Sequence, residues 1–299
     1  MNKWNANYIP DLSGKLIIIT GATSGLGLEN AKVLTNKNAS VVLAVRDVEK
    51  ANAIKSQMQQ NKSKVVVEHL DLTSLNSVEK FSDKILSNYV FLDVLINNAG
   101  IMACPYSKTQ DGFEIQMGTN HLGHFVLTAK LFPLLRKTKN SRIVNVSSIA
   151  HSSGNIDFDD INWEKRKYRT WNAYGDSKLA NLLFTYALAR KLQNSKNSPL
   201  VVASHPGYSA TDLQRHTAFF TFLNKLVAQH VKIGALANLR AAFDPEVKNS
   251  DYIGSPNFAQ LRGHPEKVKS NRMSQDINLA NKLWNISEEL TKTKFKFDN

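Results

Sequence analysis

Six short aliphatic runs punctuate the chain: LIIIT (16–20), VVLAV (41–45), VVVEHL (65–70), LDVLI (92–96), RIVNVS (142–147) and LVVASH (200–205). Most are apolar at successive rather than alternate positions, the pattern of strands buried on both faces. Between them lie longer segments of helical period, at about 26–37, 48–60, 74–88, 112–137 and 172–194. A strand followed by a helix, repeated, builds parallel crossovers. The expected architecture is therefore α/β, a doubly wound parallel sheet of about seven strands with helices on both faces.

From about Arg215 the alternation stops. Two helical segments, at about 219–243 and 275–292, flank the stretch DYIGSPNFAQLRGHPEK. No Pro/Gly/Ser linker divides the chain and no internal repeat stands out. Residues 1–299 are expected to form a single domain, with 215–299 as a substrate-side lid and closing edge of it.

The 299 residues are 42% apolar and 21% charged, enough for one large core and too little charge for extended disorder. Lys and Arg outnumber Asp and Glu by 38 to 25, a net charge of +13. That balance suits polyanions, an anionic lipid surface or a phosphate-bearing small ligand. The basic residues are scattered and carry no interleaved aromatics, so no nucleic-acid partner is expected, while peripheral membrane contact stays open. Cys104 is the only cysteine, which rules out an internal disulfide and a thiolate metal cluster and fits a reducing compartment. With no apolar signal core near the start and no apolar run of about 20 residues, a cytoplasmic protein without a spanning helix is expected.

Candidate chemistry begins where the first strand runs into TGATSGLG, Thr20 to Gly27. A backbone that must turn sharply and approach a pyrophosphate needs glycines, here Gly21, Gly25 and Gly27, and the following helix N-terminus stabilises the anion. Thr23, Ser24 and Leu26 fall in the same turn. The second strand ends at Val45 and is followed by Arg46 and Asp47. An arginine there pairs with the 2′-phosphate of NADP, whereas an acid accepts from the ribose hydroxyls of NAD; Arg46 comes first, so NADP is expected and NAD remains the alternative. Asp71, followed by Leu72, ends the third run and reads either as an adenine contact or as a helix cap. Asn98, Ala99 and Gly100 of NNAG end the fourth, at a strand C-terminus where ligands sit in open α/β sheets. Further on, Tyr174 and Lys178 stand four residues apart on one predicted helix face, a spacing that alone decides nothing.

TGATSGLG, NNAG, VNVSS, YGDSK and HPG occur in the order found in the short-chain dehydrogenase/reductase superfamily, over about residues 14 to 212. TNHLGHF, RIVNVSSIAH, YGDSKLANLLF and LWNISEEL resemble its retinol-dehydrogenase-like and WW-domain-oxidoreductase-like members. The resemblance implies a Rossmann fold and an oxidoreductase that moves hydride between a nicotinamide and an alcohol or carbonyl substrate. The implied catalytic set is Asn120, Ser148, Tyr174 and Lys178, the last two also touching the cofactor. A free tyrosine has a pKa near 10, too high for a proton shuttle at neutral pH, and the Lys178 ammonium is expected to lower it. Ser148 would donate to the substrate oxygen, with Ser147 as the competitor, because strand alternation turns only one of them to the cleft. Asn120 matches the family asparagine that holds a water beside the lysine. His121 and His124 read as packing or surface residues.

By the same resemblance Pro206, Gly207 and Thr211 border the nicotinamide, although Gly207 also reads as a turn residue. Ser148 and Tyr174 are 174 − 148 = 26 residues apart, longer than in compact members; the excess, NIDFDDINWEKRKYRTW, reads as a surface excursion over the cleft mouth. The subgroup and the Phe-, Leu- and Ala-rich 215–243 segment point to an apolar retinoid-, steroid- or aldehyde-like substrate. Helices 112–137 and 172–194 are the faces that pair in oligomeric members. The alternative is a non-catalytic dinucleotide-binding module with a protein-interaction role.

Overall fold

The computed structural model describes residues 3–58, 64–195, 197–207, 230–257 and 260–297. The expected alternation is present: β1 (Leu16–Thr20), α1 (Gly25–Asn36), β2 (Ser40–Val45), α2 (Val48–Met58), β3 (Val65–His69), α3 (Leu75–Asn88) and β4 (Val94–Asn97). After a loop come α4 (Ile115–Met117), a π-helical turn (Gly118–Leu122), α5 (Gly123–Lys137), β5 (Arg142–Val146), α6 (Thr170–Leu192) and β6 (Leu200–Ser204). The chain then gives α7 (Val231–Phe243), β7 (Tyr252–Gly254), β8 (Glu266–Lys267) and α8 (Ile277–Thr291).

The described strands form one eight-stranded sheet in the order β3-β2-β1-β4-β5-β6-β7-β8, parallel throughout except that β8 runs antiparallel to β7. Strand order reverses between β1 and β4, so a crevice opens at their C-terminal ends, the Rossmann position for a dinucleotide. Alternate strand residues feed opposite cores, as the doubly apolar runs require. Leu16, Ile18, Val42 and Leu95 pack under α3, α5, α6 and α8, whereas Ile17, Ile19, Val41 and Ile96 pack under α1, α2 and α7.

Three expectations need correction. About seven strands become eight, because DYIGSPNFAQLRGHPEK contains β7 and β8; both are too short to show periodicity, and the pairing of β7 with β6, onto which β8 then adds, is a long-range event. The helix expected over 112–137 starts at Ile115 and is interrupted by the π turn, since Lys108 and Glu114 instead form an antiparallel bridge. Of the expected 219–243 helix, Val231–Phe243 is described as α7; residues 208–229, with part of the supposed lid, lie outside the described residues.

Helix α6 is the central pillar, with residues 173–189 all buried. It has sheet on one side, while α8 and the chain after it cover another through a cluster of Phe125, Phe184, Trp284 and Phe295; the Trp284 and Phe295 rings lie 4.8 Å apart. No helix among the described residues is long and apolar enough to cross a membrane.

Candidate active site

The glycine turn is built as its sequence requires. Gly21 has φ +69°, and a Cβ on it would come within 2.9 Å of Ala99 Cα; one on Gly27 would lie 2.5 Å from the Gly21 carbonyl oxygen. Any side chain at either position would drive the turn and the NNAG loop apart. Thr23, Ser24, Gly25 and Leu26 are half-buried along the turn. Ser24 occupies the N-cap of α1 without making a side-chain cap bond, so among the described residues no side chain satisfies the first amides of this twelve-residue helix. That is the arrangement a pyrophosphate fits.

Sequence reading passed over the residue that ties this turn to the next strand. The Thr20 hydroxyl accepts from the backbone amides of Asn98 and Ala99, both at 2.9 Å, and the Asn98 amide group donates to the Thr20 carbonyl at 2.8 Å. Arg46 is exposed just past β2. Asp47 accepts from the Lys50 amide at 2.9 Å and so caps the start of α2. Asp71 accepts from both the backbone and hydroxyl of Thr73 at 2.9 and 2.8 Å, closing a turn; it is not the helix cap, since Ser74 is the N-cap of α3. The Leu72 side chain is buried in the core against Gly123.

On the other side of the crevice, Ser148 caps the short 3-10 turn Ile149–Ser153 by accepting from the Ala150 amide at 3.2 Å, and its hydroxyl is close enough to the Tyr174 hydroxyl to lower its pKa. Ser147 donates to the Lys178 carbonyl at 2.8 Å, so the two serine side chains face different partners, as strand alternation leads one to expect. Lys178 Nζ donates to the Val146 carbonyl at 3.2 Å and stands 5.7 Å from the Tyr174 ring centre. Asn120, inside the π turn, closes on the loop after β4. Its Oδ1 accepts from the Ile101 amide at 2.8 Å, and its Nδ2 donates to the Ile101 carbonyl at 3.0 Å and to Ser177 Oγ at 2.9 Å. A Cβ on Gly100 would meet Asn120 Oδ1 at 3.1 Å and Lys178 Nζ at 3.5 Å. Asn120, Gly100, Lys178, Tyr174 and Ser148 are thus one continuous surface.

The electrostatics correct one expectation. Burial pushes the Tyr174 hydroxyl up to about 12, against a lowering from the Ser148 hydroxyl, and burial pushes Lys178 down to about 8. In the protein alone, desolvation of the pair outweighs any help the ammonium gives the phenolate. His121 and His124 are buried rather than surface residues. His121 bonds Ser287 at 2.9 Å, and His124 reaches both Thr20 and the Asn120 carbonyl. Pro206 and Gly207 follow β6, where the Gly207 amide donates to His205 Nδ1 at 3.0 Å; Thr211 lies outside the described residues.

The excursion between Ser148 and Tyr174 is a self-capped loop. Asp160 accepts from the amides of Glu164, Lys165 and Arg166. Arg166 lies 3.6 Å from the Trp163 ring centre and 3.5 Å from the carboxylates of both Asp160 and Asp176. Tyr168 donates to the buried Glu114 at 2.7 Å, and half-exposed Trp171 meets the Tyr174 ring edge-on at 6.2 Å.

A crevice at the strand-order reversal, a glycine turn and a Ser-Tyr-Lys-Asn surface are the marks of one family. The short-chain dehydrogenase family model matches residues 15–218. The chain belongs to the short-chain dehydrogenases. Human retinol dehydrogenase 13 is 48% identical over 208 residues, 69% of this chain and 62% of that one. Human retinol dehydrogenase 11 is 40% identical over 284 residues, 93% of this chain and 86% of that one. A crystal structure of an uncharacterised protein from Mycobacterium paratuberculosis matches with a TM-score of 0.85 and 42% identity, covering 99% of this chain and 100% of that one. This short-chain dehydrogenase is accordingly an oxidoreductase acting on CH–OH groups with NAD(P).

Proposed function

We propose that this short-chain dehydrogenase is an NADP(H)-dependent oxidoreductase of apolar alcohols and their carbonyl counterparts, with Asn120, Ser148, Tyr174 and Lys178 as its site. The observation that carries the reading is the Ser148–Tyr174 hydroxyl pair beside the buried Lys178, at the crevice where the sheet reverses. A nicotinamide held along the glycine turn and the NNAG loop would supply or take the hydride. The Ser148 hydroxyl donates to the substrate oxygen, and Tyr174 hands that oxygen its proton in reduction or removes it in oxidation. Lys178 holds the positive charge that favours phenolate, and Asn120 keeps the 100–101 backbone against it.

Arg46 supports NADP over NAD. It stands exposed at the end of β2 while the neighbouring Asp47 is engaged with the start of α2. The apolar substrate class rests on the retinol dehydrogenase relatives and on Trp171 beside the Tyr174 ring. A non-catalytic role is not favoured, because a mere dinucleotide binder has no need of the assembled Ser-Tyr-Lys-Asn surface.

The test is NADPH oxidation scanned over aldehydes and ketones of increasing size and apolarity, with Tyr174→Phe as control. Turnover is expected to favour extended apolar carbonyls and to fall by at least about 10²-fold in the variant, with NADPH binding retained. Turnover that survives Tyr174→Phe overturns the site; a wild-type protein inert toward every member overturns the activity.

A further inference from the structure

We propose that His124, on the first turn of α5, is a positioning residue that joins the cofactor-side turn to the catalytic side of the crevice through two separate hydrogen bonds, one from each ring nitrogen. The proposal rests on the activity proposed above. His124 is buried, with Nε2 2.9 Å from Thr20 Oγ1 and Nδ1 3.0 Å from the Asn120 carbonyl.

Donor and acceptor chemistry, with the distances, assigns the protons in this contact. A carbonyl only accepts, so Nδ1 carries the hydrogen and donates to Asn120. The Thr20 hydroxyl already accepts from the amides of Asn98 and Ala99. Its single hydrogen has two acceptors in reach, the Ile96 carbonyl at 3.5 Å and His124 Nε2 at 2.9 Å, and goes to the nearer, so Nε2 is unprotonated. Burial, with the Lys178 charge adding to it, pushes His124 down to about 4, so the ring stays in this neutral form at neutral pH.

The bonds close a circuit. Thr20 holds the NNAG amides, that loop continues to Ile101, the Ile101 backbone is gripped on both its groups by the Asn120 side chain, and the Asn120 carbonyl returns to Thr20 through His124. Asn120 also reaches Ser177, the residue before Lys178. One arm of the imidazole thus acts on the glycine turn and the NNAG loop, where the dinucleotide would lie. The other acts on the π turn that places Asn120. Cutting each arm should have a different kinetic signature, which a purely packing histidine would not give.

The two amide side chains cut one arm each. In His124→Asn the amide nitrogen takes the place of Nδ1 and keeps the Asn120 bond while losing Thr20; in His124→Gln the amide oxygen takes the place of Nε2 and keeps Thr20 while losing Asn120. His124→Asn is expected to raise the NADPH dissociation constant, read by nucleotide fluorescence, about tenfold with kcat within about twofold of wild type. His124→Gln is expected to do the reverse, lowering kcat about tenfold at nearly unchanged NADPH affinity. Thr20→Val should reproduce the weakened binding and Thr20→Ser should restore it. Equal effects of Asn and Gln on both parameters, or a loss of thermal stability alone, overturn the proposal. If His124→Gln does not fold, equal NADPH affinity in Thr20→Val and Thr20→Ser overturns it. A wild type that binds NADPH without turnover refutes the proposed activity but leaves these binding comparisons to decide the Thr20 arm.

Discussion

Burial shifts Tyr174 and Lys178 toward their neutral forms, though Lys178 still carries its charge at neutral pH. Lys178 titrates near 8 in the folded protein, below its ordinary 10.5. Between those values the unfolded chain binds more protons than the folded one, so this residue makes stability rise as pH climbs from 8 to 10.5 and costs most below 8. Lys178→Met should accordingly stabilise the fold by ~1 kcal/mol at pH 7, and by less at pH 9, while removing turnover. Thermal melts at the two pH values alongside an activity assay check both halves. At the opposite end of the crevice, Arg46→Ala should raise the KM for NADPH by about tenfold or more and leave that for NADH within about twofold, since only NADP has a 2′-phosphate for the guanidinium to meet. Equal losses with both nucleotides would remove the reason for preferring NADP.

Among the elements, the loop between the 3-10 turn and α6 shows how an insertion becomes part of a site. Arg166 stacks on Trp163 and bridges Asp160 to Asp176, and Asp176 also accepts from the Asn155 amide at 2.7 Å, two residues from Tyr174 and two from Lys178. Burial pushes the Asp176 carboxyl up to about 6, above its ordinary 3.8. As pH falls through that window the folded state takes up the proton first, so the cost of the buried charge shrinks. Arg166→Ala leaves that carboxylate without its cation and should destabilise the protein by ~2 kcal/mol at pH 7 and by less at pH 5. Denaturant titrations at the two pH values measure the difference; an equal loss at both would mean that Arg166 acts only through its stacking on Trp163.

For the whole molecule, the C-terminal chain completes the architecture by covering α6. Trp284 and Phe295 close over Phe125 and Phe184 with ring separations of 4.8 to 6.1 Å. Trp284→Ala should cost ~3–5 kcal/mol, visible as a lowered melting temperature, with NADPH affinity little changed because the cluster lies behind α6 rather than in the crevice. A large loss of cofactor affinity at full stability would show that α8 acts on the site directly.

What the sequence determined by itself was whatever local pattern controls. Doubly apolar strands, the glycine turn with its following helix, and the motif order from Thr20 to Lys178 specify a doubly wound sheet and the chemistry at its edge. Tertiary structure decided the features that depend on distant partners. Strands β7 and β8 are three and two residues long, and β7 exists only as an addition to β6 and β8 as an addition to β7. Ser148 rather than Ser147 faces Tyr174 because of where α6 lies. His124 and Thr20, 104 residues apart in sequence, had no shared pattern to find, and their bond is visible only once β1 and α5 are side by side. The Tyr174 proton is the sharpest case. The resemblance implies that the Lys178 ammonium lowers the Tyr174 pKa, but burial is a property of the packed fold, and in the protein alone desolvation outweighs the neighbouring charge.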